Sequence, residues 1–258
     1  MKALQIAASG MMAQQRNTEV VANNLANMNT TGYQRRRVEF SDLIYSSMER
    51  KPSASSRASG EIPAGVQGGL GVRMSAIYRI HEQGSLSATG NSFDLAIQGE
   101  GFFQVLLPNG DTAYTRDGTF QLNGQGDLVT HDGFQVQPGI NIPAGAIDVT
   151  INSSGEVLVK EAGAAETASA GFIQIATFQN EAGLEALGDN LFRESTASGP
   201  ANVDNPGQAG FGTVLQGYVE TSNVNPIQEI AALIAAQRAY EMNSKIIQTA
   251  DQMMAPLR

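Results

Sequence analysis

Apolar residues recur at alternating steps of three and four at both ends of this chain, and that spacing constrains its fold more than any other feature. Near the N-terminus the series runs Leu4, Ala7, Met11, Gln14, Thr18, Val21, Leu25 and Met28, with two polar breaks. Near the C-terminus it runs Ile230, Leu233, Ala236, Tyr240, Asn243, Ile247, Ala250, Met254 and Leu257, where only Asn243 is polar. Such spacing is the seam of a coiled coil. The second helix has a clear start: Asn225 can cap it, Pro226 suits the first helical position, and Gln228 completes a capping-box-like arrangement. The pattern predicts one long helix from Pro226 to about Met254. A helix with a single apolar stripe needs a partner to cover it. The two ends therefore pair with each other or with the ends of other copies, and heptads alone do not choose between these.

Between the ends the period changes. The stretch GFFQVLLPNGDTAYTRDGTFQLNGQGDLVTHDGFQVQ alternates short apolar and β-branched runs with turn signals, and Asn109-Gly110 and Asn123-Gly124 are strong hairpin dipeptides. Strand-length runs continue at DVTINSSGEVLVK and GFIQIATFQ. Glu49 to Gly71 is rich in Ser, Gly and Pro without apolar periodicity, as a linker or long extended loop would be. The reading is α+β, with a β-rich central domain and terminal helices forming a coiled-coil domain. Its divisions are 1–35 with 220–258, an extended linker over 36–71, and a β-rich domain over 72–219.

A run of four asparagines within seven residues, Asn23, Asn24, Asn27 and Asn29, stands at the end of the first helical stripe. Asparagine is poor in a helix interior because its amide competes for backbone hydrogen bonds. Gly10 costs roughly 1 kcal/mol against Ala in a helix, so it marks either a close approach or a bend.

Composition narrows the function. The chain has 258 residues and a net charge of −9, which argues against a general nucleic-acid binder. Arg35-Arg36-Arg37 reads as a local solvated face. There is no cysteine, hence no disulfide and no thiolate metal site. No run of 18 apolar residues could span a membrane as a helix. The N-terminal ALQIAASGMMA lacks the basic region and cleavage site of a secretory signal, and none is expected.

Signs of catalysis are missing. The only histidines, His81 and His131, stand in HEQG and THDG and read as surface or turn residues. No G-x-S-x-G, Walker A or G-x-G-x-x-G pattern occurs. A single calcium-loop-like fragment, Gly124-x-Gly126-Asp127, lacks the tandem copies such sites need and reads as a hairpin turn. No enzyme activity, cofactor or metal is expected.

Four stretches carry a resemblance. ANNLANMNTTGYQRR resembles the N-terminal motif of flagellar rod and hook proteins. GSLSATGNSFDLAIQGEGFFQV (84–105) and YTRDGTF (114–120) are similar to their central motifs. GYVETSNVNPIQEIAALIAAQRAYEMNSKIIQTADQM (217–253) resembles their C-terminal signature. The likeness to the bacterial flagellar basal-body rod and hook family covers nearly the whole chain. The segment RRRVEFSDLIYSSMERKPSASS is most similar to the distal-rod branch. The proximal rod branch is the alternative within the family, and a β-rich binding module on a coiled-coil stalk is the alternative outside it.

The resemblance implies a structural subunit that self-assembles into a hollow helical driveshaft through the periplasm and passes torque from motor to hook. It implies export through the flagellar type III apparatus without a cleaved signal. The implied partners are other copies of the chain, proximal rod proteins, the hook protein, the surrounding periplasmic and outer-membrane rings and the export apparatus. The expected assembly interface comprises Leu4, Met11, Val21, Asn23, Asn24, Leu25 and Asn27 at one end, and Ile230, Leu233, Tyr240, Asn243, Ile247 and Met254 at the other. Within it Asn23, Asn24 and Asn27 would set the register between subunits, and Asn29 to Gly32 would end the helix and turn the chain outward. Ser53 to Gly71 would run along neighbouring subunits and stiffen the polymer.

Overall fold

The computed structural model describes residues 2–47, 67–161 and 167–254. They form two compact units: Met1–Leu25, Arg36–Tyr78 and Pro226–Arg258 make a helical unit, and Ala26–Arg35 with Arg79–Asn225 make a β unit. The fold is α+β, with one long helix at each end and strands between.

In the helical unit, α1 spans Lys2–Ala26 and α2 spans Pro226–Met254. They run antiparallel. Asn24 of α1 meets Glu229 of α2, whereas Gly10 lies against Asn243. Going from 10 to 24 in one helix is matched by 243 to 229 in the other, so the contact follows the pair for about 21 Å. The buried face is made of small and polar residues: Ala7, Ala13, Val20, Val21 and Asn24 from α1, and Glu229 and Ala236 from α2. Gly10 marks a close approach, since a Cβ placed there would sit 2.8 Å from Asn243 Nδ2.

The same unit holds a two-stranded ribbon of β1 (Arg36–Asp42) and β2 (Val72–Arg79). The expected linker over 36–71 thus begins as a strand. Its apolar Val38 is buried and Leu43 N–H donates to Gly71 O at 2.9 Å, so it has both core and backbone partners. Ser46–Ser47 also pairs antiparallel with Gln67–Gly68. Most of the Ser53 to Gly71 segment lies outside the described residues.

The β unit is built on β3 (Phe102–Leu106), which pairs antiparallel with β4 (Thr112–Thr115) through a turn containing Asn109-Gly110, where Gly110 has φ +89°. On its other edge β3 pairs with Ile175–Thr177 and Gln135–Val136. Alternation along β3 feeds two cores. Phe103 and Val105 point into the larger one with Leu95, Ile97, Phe120, Leu128, Ile173 and Ile175. Phe102 points the other way, into an aromatic cluster with Tyr114, Phe178 and Phe192. Its rings meet edge to face, with centroids 5.9 Å apart for Phe102 with Phe178 and with Phe192. A separate three-stranded sheet, Ala146–Ile151, Glu156–Glu161 and Ala168–Phe172, packs Val149, Ile151, Val157 and Val159 into the larger core. The Asn123-Gly124 site forms the expected hairpin: Asn123 Oδ1 accepts from the N–H groups of Gln125 and Asp127, both at 2.9 Å.

Candidate assembly face

An antiparallel pair closed by alanines leaves the bulky side chains of α2 on the outside. Ile227 is 80% exposed, Ile230 46%, Tyr240 44% and Met242 60%, and Ile234, Ile246 and Met253 are also exposed. At about 100° per residue, Ile227, Ile230 and Ile234 form an apolar line at the N-terminal third of α2. Arg238, Glu241 and Lys245 continue that line as charges of alternating sign, with Met242, Ile246 and Met253 on its flank. The outer face of α1 is more polar, with Gln5, Gln15, Arg16, Glu19 and Asn23 exposed beside Met12. Covering Ile227 contributes about 1.5–3 kcal/mol and each half-exposed isoleucine about half of that, and a patch of this kind marks an interaction surface.

The residues expected at the interface divide accordingly. Val21 and Asn24 are buried within the chain, and Leu4, Met11, Leu25, Leu233, Asn243 and Ile247 are partly buried. Ile230 and Tyr240 face outward. Close approach of the helices selects Ala236 and Asn243 for the inner side. Asn23 is exposed, and the side chain of Met254 lies outside the described residues.

Asn24 is 1% exposed and its amide is used inside its own subunit. Its Nδ2 donates to Arg36 O at 2.8 Å and to Glu229 Oε2 at 3.2 Å, and its Oδ1 accepts from Arg36 N–H at 2.9 Å. The amide behaves as a strand neighbour for the first residue of β1 while tying it to the first turn of α2. Both donors are thus engaged within the chain. Asn27 acts locally, where Thr30 N–H donates to its carbonyl at 3.2 Å and Thr30 Oγ1 to its side chain. Gly32, at φ +65°, completes the turn away from α1, and its N–H donates to Glu220 O at 2.9 Å.

The β unit has a polar centre that sequence reasoning missed. Arg116, from YTRDGTF, and Glu220, from GYVETSN, are each 5% exposed and lie 3.4 Å apart. Arg116 also donates to Gly99 O at 2.9 Å and stacks over Phe102, and Glu220 accepts from Gly84 N–H at 2.9 Å. His81 is partly buried nearby with Glu181 at 3.4 Å. Its pKa is held down to about 4 by burial, with the charges of Arg79 and Arg116 adding to the effect. Burial raises the carboxyls of Glu181 and Glu220, against the opposing pull of Arg116. The motif strings were visible, but a pair separated by 104 residues leaves no local pattern. Arg35 and Arg36 are half-buried, because Asn223 and Asn24 hold their backbones, and only Arg37 is solvated. Among the described residues no cluster of three or more carboxylate, imidazole or thiolate groups is arranged to hold a metal ion. His131 lies on the surface beside Asp132.

Known families match along the chain: "Flagella basal body rod protein" over residues 4–34, "Flagellar hook protein FlgE/F/G D1 domain" over 96–159, and "Flagellar basal body rod FlgEFG protein C-terminal" over 215–256. The chain is 57% identical to the flagellar basal-body rod protein FlgG of Caulobacter vibrioides, covering 98% of this chain and 97% of the relative. It is 39% identical to FlgG of Bacillus subtilis, covering 96% and 95%. Against the flagellar basal-body rod protein FlgF of Caulobacter vibrioides the identity is 35%, covering 95% and 91%. With these matches from end to end, the chain belongs to the flagellar basal-body rod protein family.

Proposed function

We propose that this chain is the distal-rod subunit of the flagellar basal body, self-assembling into a hollow helical driveshaft that carries torque to the hook. The observation that carries the distal assignment is the comparison within one organism: 57% identity to FlgG of Caulobacter vibrioides against 35% to its FlgF. What supports polymerisation is the outward apolar line of α2, where Ile227, Ile230 and Ile234 are exposed. In this reading the helical unit forms the inner tube and the β unit the outer domain. The interface is then the outer face of α2 with Met12 and Asn23 of α1, while Asn24, Asn243 and Val21 shape the subunit that presents it. Proximal rod proteins, the hook protein and the surrounding rings are its neighbours in the periplasm, reached through the flagellar export apparatus without signal cleavage.

Electron microscopy of the full chain sedimented at rising concentration tests this. Open-ended tubes are the expected result. A fixed small oligomer across salt and pH would favour a β-rich binding module on a helical stalk.

A further inference from the structure

The polypeptide crosses between its two units after Leu25, after Arg35, after Tyr78 and after Asn225. Inside the β unit, one side chain touches residues at three of these crossings. Asn223 Oδ1 accepts from Arg35 N–H at 2.7 Å, at the last residue before the chain leaves. Its Nδ2 donates to Ile80 O and to Glu82 O, both at 2.9 Å, just after the chain returns. Asn223 itself stands two residues before the final departure at Asn225.

Backbone bonding links the first two directly, with Ile80 N–H donating to Arg35 O at 3.0 Å, and reaches the third only through the longer bond from Asn223 N–H to Tyr33 O at 3.4 Å. The Arg35–Glu82 ion pair joins the same two, and Glu82 is largely solvated, so it adds little. The side-chain amide of Asn223 ties the third segment to both at shorter range, with Thr221 bonding Ser85 O two residues earlier. Only an amide can do this at one point, because it offers an acceptor to one chain and donors to another.

We infer that Asn223 is a positioning residue for load transfer: it binds three covalent connections of the β unit into one fastened bundle, so that force arriving along any of them is shared. This rests on the proposed rod function, since only a subunit under torque needs it. Without the amide, each connection yields separately and the polymer bends and twists more easily, although the core of the β unit is untouched.

The test compares wild type, Asn223→Ala and Asn223→Asp as full chains. Asn223→Asp keeps the acceptor for Arg35 N–H but sets carboxylate oxygen against two carbonyls. In the monomer, amide exchange at Arg35 is expected to rise about tenfold in Asn223→Ala and to stay slow in Asn223→Asp, with exchange in Phe102–Leu106 unchanged in both. In the polymer, both variants are expected to show a shorter persistence length by electron microscopy. Unaltered Arg35 exchange in Asn223→Ala, or polymers as stiff as wild type, would overturn the inference. So would variants that fail to assemble where wild type assembles, because the residue is placed in load transfer and not in assembly. A wild-type chain that forms no polymer would instead overturn the rod reading on which it rests.

Discussion

In the β unit the sealed positions are large: Phe102, Phe103, Phe120, Ile173 and Ile175 are at most 1% exposed. In the helical unit the sealed apolar positions are no larger than valine, Ala7, Ala13, Val20, Val21, Val38 and Ala236, joined by Asn24 and Glu229, while Ile227, Ile230, Ile234 and Ile246 of α2 stand in solvent. Both units come from one chain, so the contrast is one of deployment. The β unit spends its bulky side chains on its own core. The helical unit closes on small residues and hydrogen bonds and keeps its bulky side chains outward, where only another surface can bury them. A subunit built this way has a stable half and a half completed by assembly.

The contrast can be broken in several places. The largest expected effect is in the β unit: Phe103→Ala should cost about 3–5 kcal/mol, through lost transfer energy and a cavity, read by urea unfolding. Asn24→Ala should cost about 2–3 kcal/mol in the monomer, because it leaves Arg36 backbone groups and a buried Glu229 without that partner. An unaltered monomer with a weakened polymer would instead restore a register role between subunits.

Two glycines sharpen the comparison. A Cβ at Gly32, at φ +65°, would meet Asp117 N at 2.8 Å and Arg116 C at 2.9 Å, which are backbone atoms that cannot turn aside. Gly32→Ala should destabilise the β unit by about 2 kcal/mol. Gly10→Ala meets the tip of the Asn243 amide, which can rotate, and gains about 1 kcal/mol of helix propensity. Thermal unfolding of the two variants should separate them, with Gly10→Ala close to wild type.

A smaller net effect concerns acid, because two opposing carboxyl shifts offset part of it. The unfolded chain protonates His81 near pH 6.5, whereas the folded chain resists until about pH 4. More protons are then bound in the unfolded state between these values, so this stability is lost as pH falls from 6.5 towards 4. Glu181 and Glu220, with raised pKa values, act in the opposite sense, favouring the folded state as pH falls towards the ordinary carboxylate range. His81→Leu should remove the first contribution, leaving stability that rises on mild acidification. A calorimetric series from pH 7 to pH 4.5 would read the sign, and a slope like wild type would refute it.

What could be read from the residues was local. Pro226 fixed the start of α2, and Asn109-Gly110 and Asn123-Gly124 announced their hairpins, because turn and cap chemistry lies within a few residues. Which side of α2 faces α1 was not legible in the same way. Heptad reading weights bulk and so chose Ile230 and Tyr240. Close approach instead favours small residues, and that preference shows only once Gly10 and Asn243 are known to meet. The pair Arg116 and Glu220 and the clip of Asn24 on Arg36 depend on tertiary return of the chain. Asn24 drew notice for the right reason, as an amide out of place in a helix, but its partner was in its own subunit.

The most direct measurement is sedimentation velocity of the full chain at rising concentration, for wild type and for Ile230→Glu with Ile234→Glu. Surface substitutions of this kind should leave monomer stability within about 0.5 kcal/mol each. The account predicts large, concentration-dependent species for wild type and a monomer with an unchanged melting temperature for the double variant. A double variant that assembles like wild type would contradict it, as would a wild-type chain that stays monomeric at every concentration.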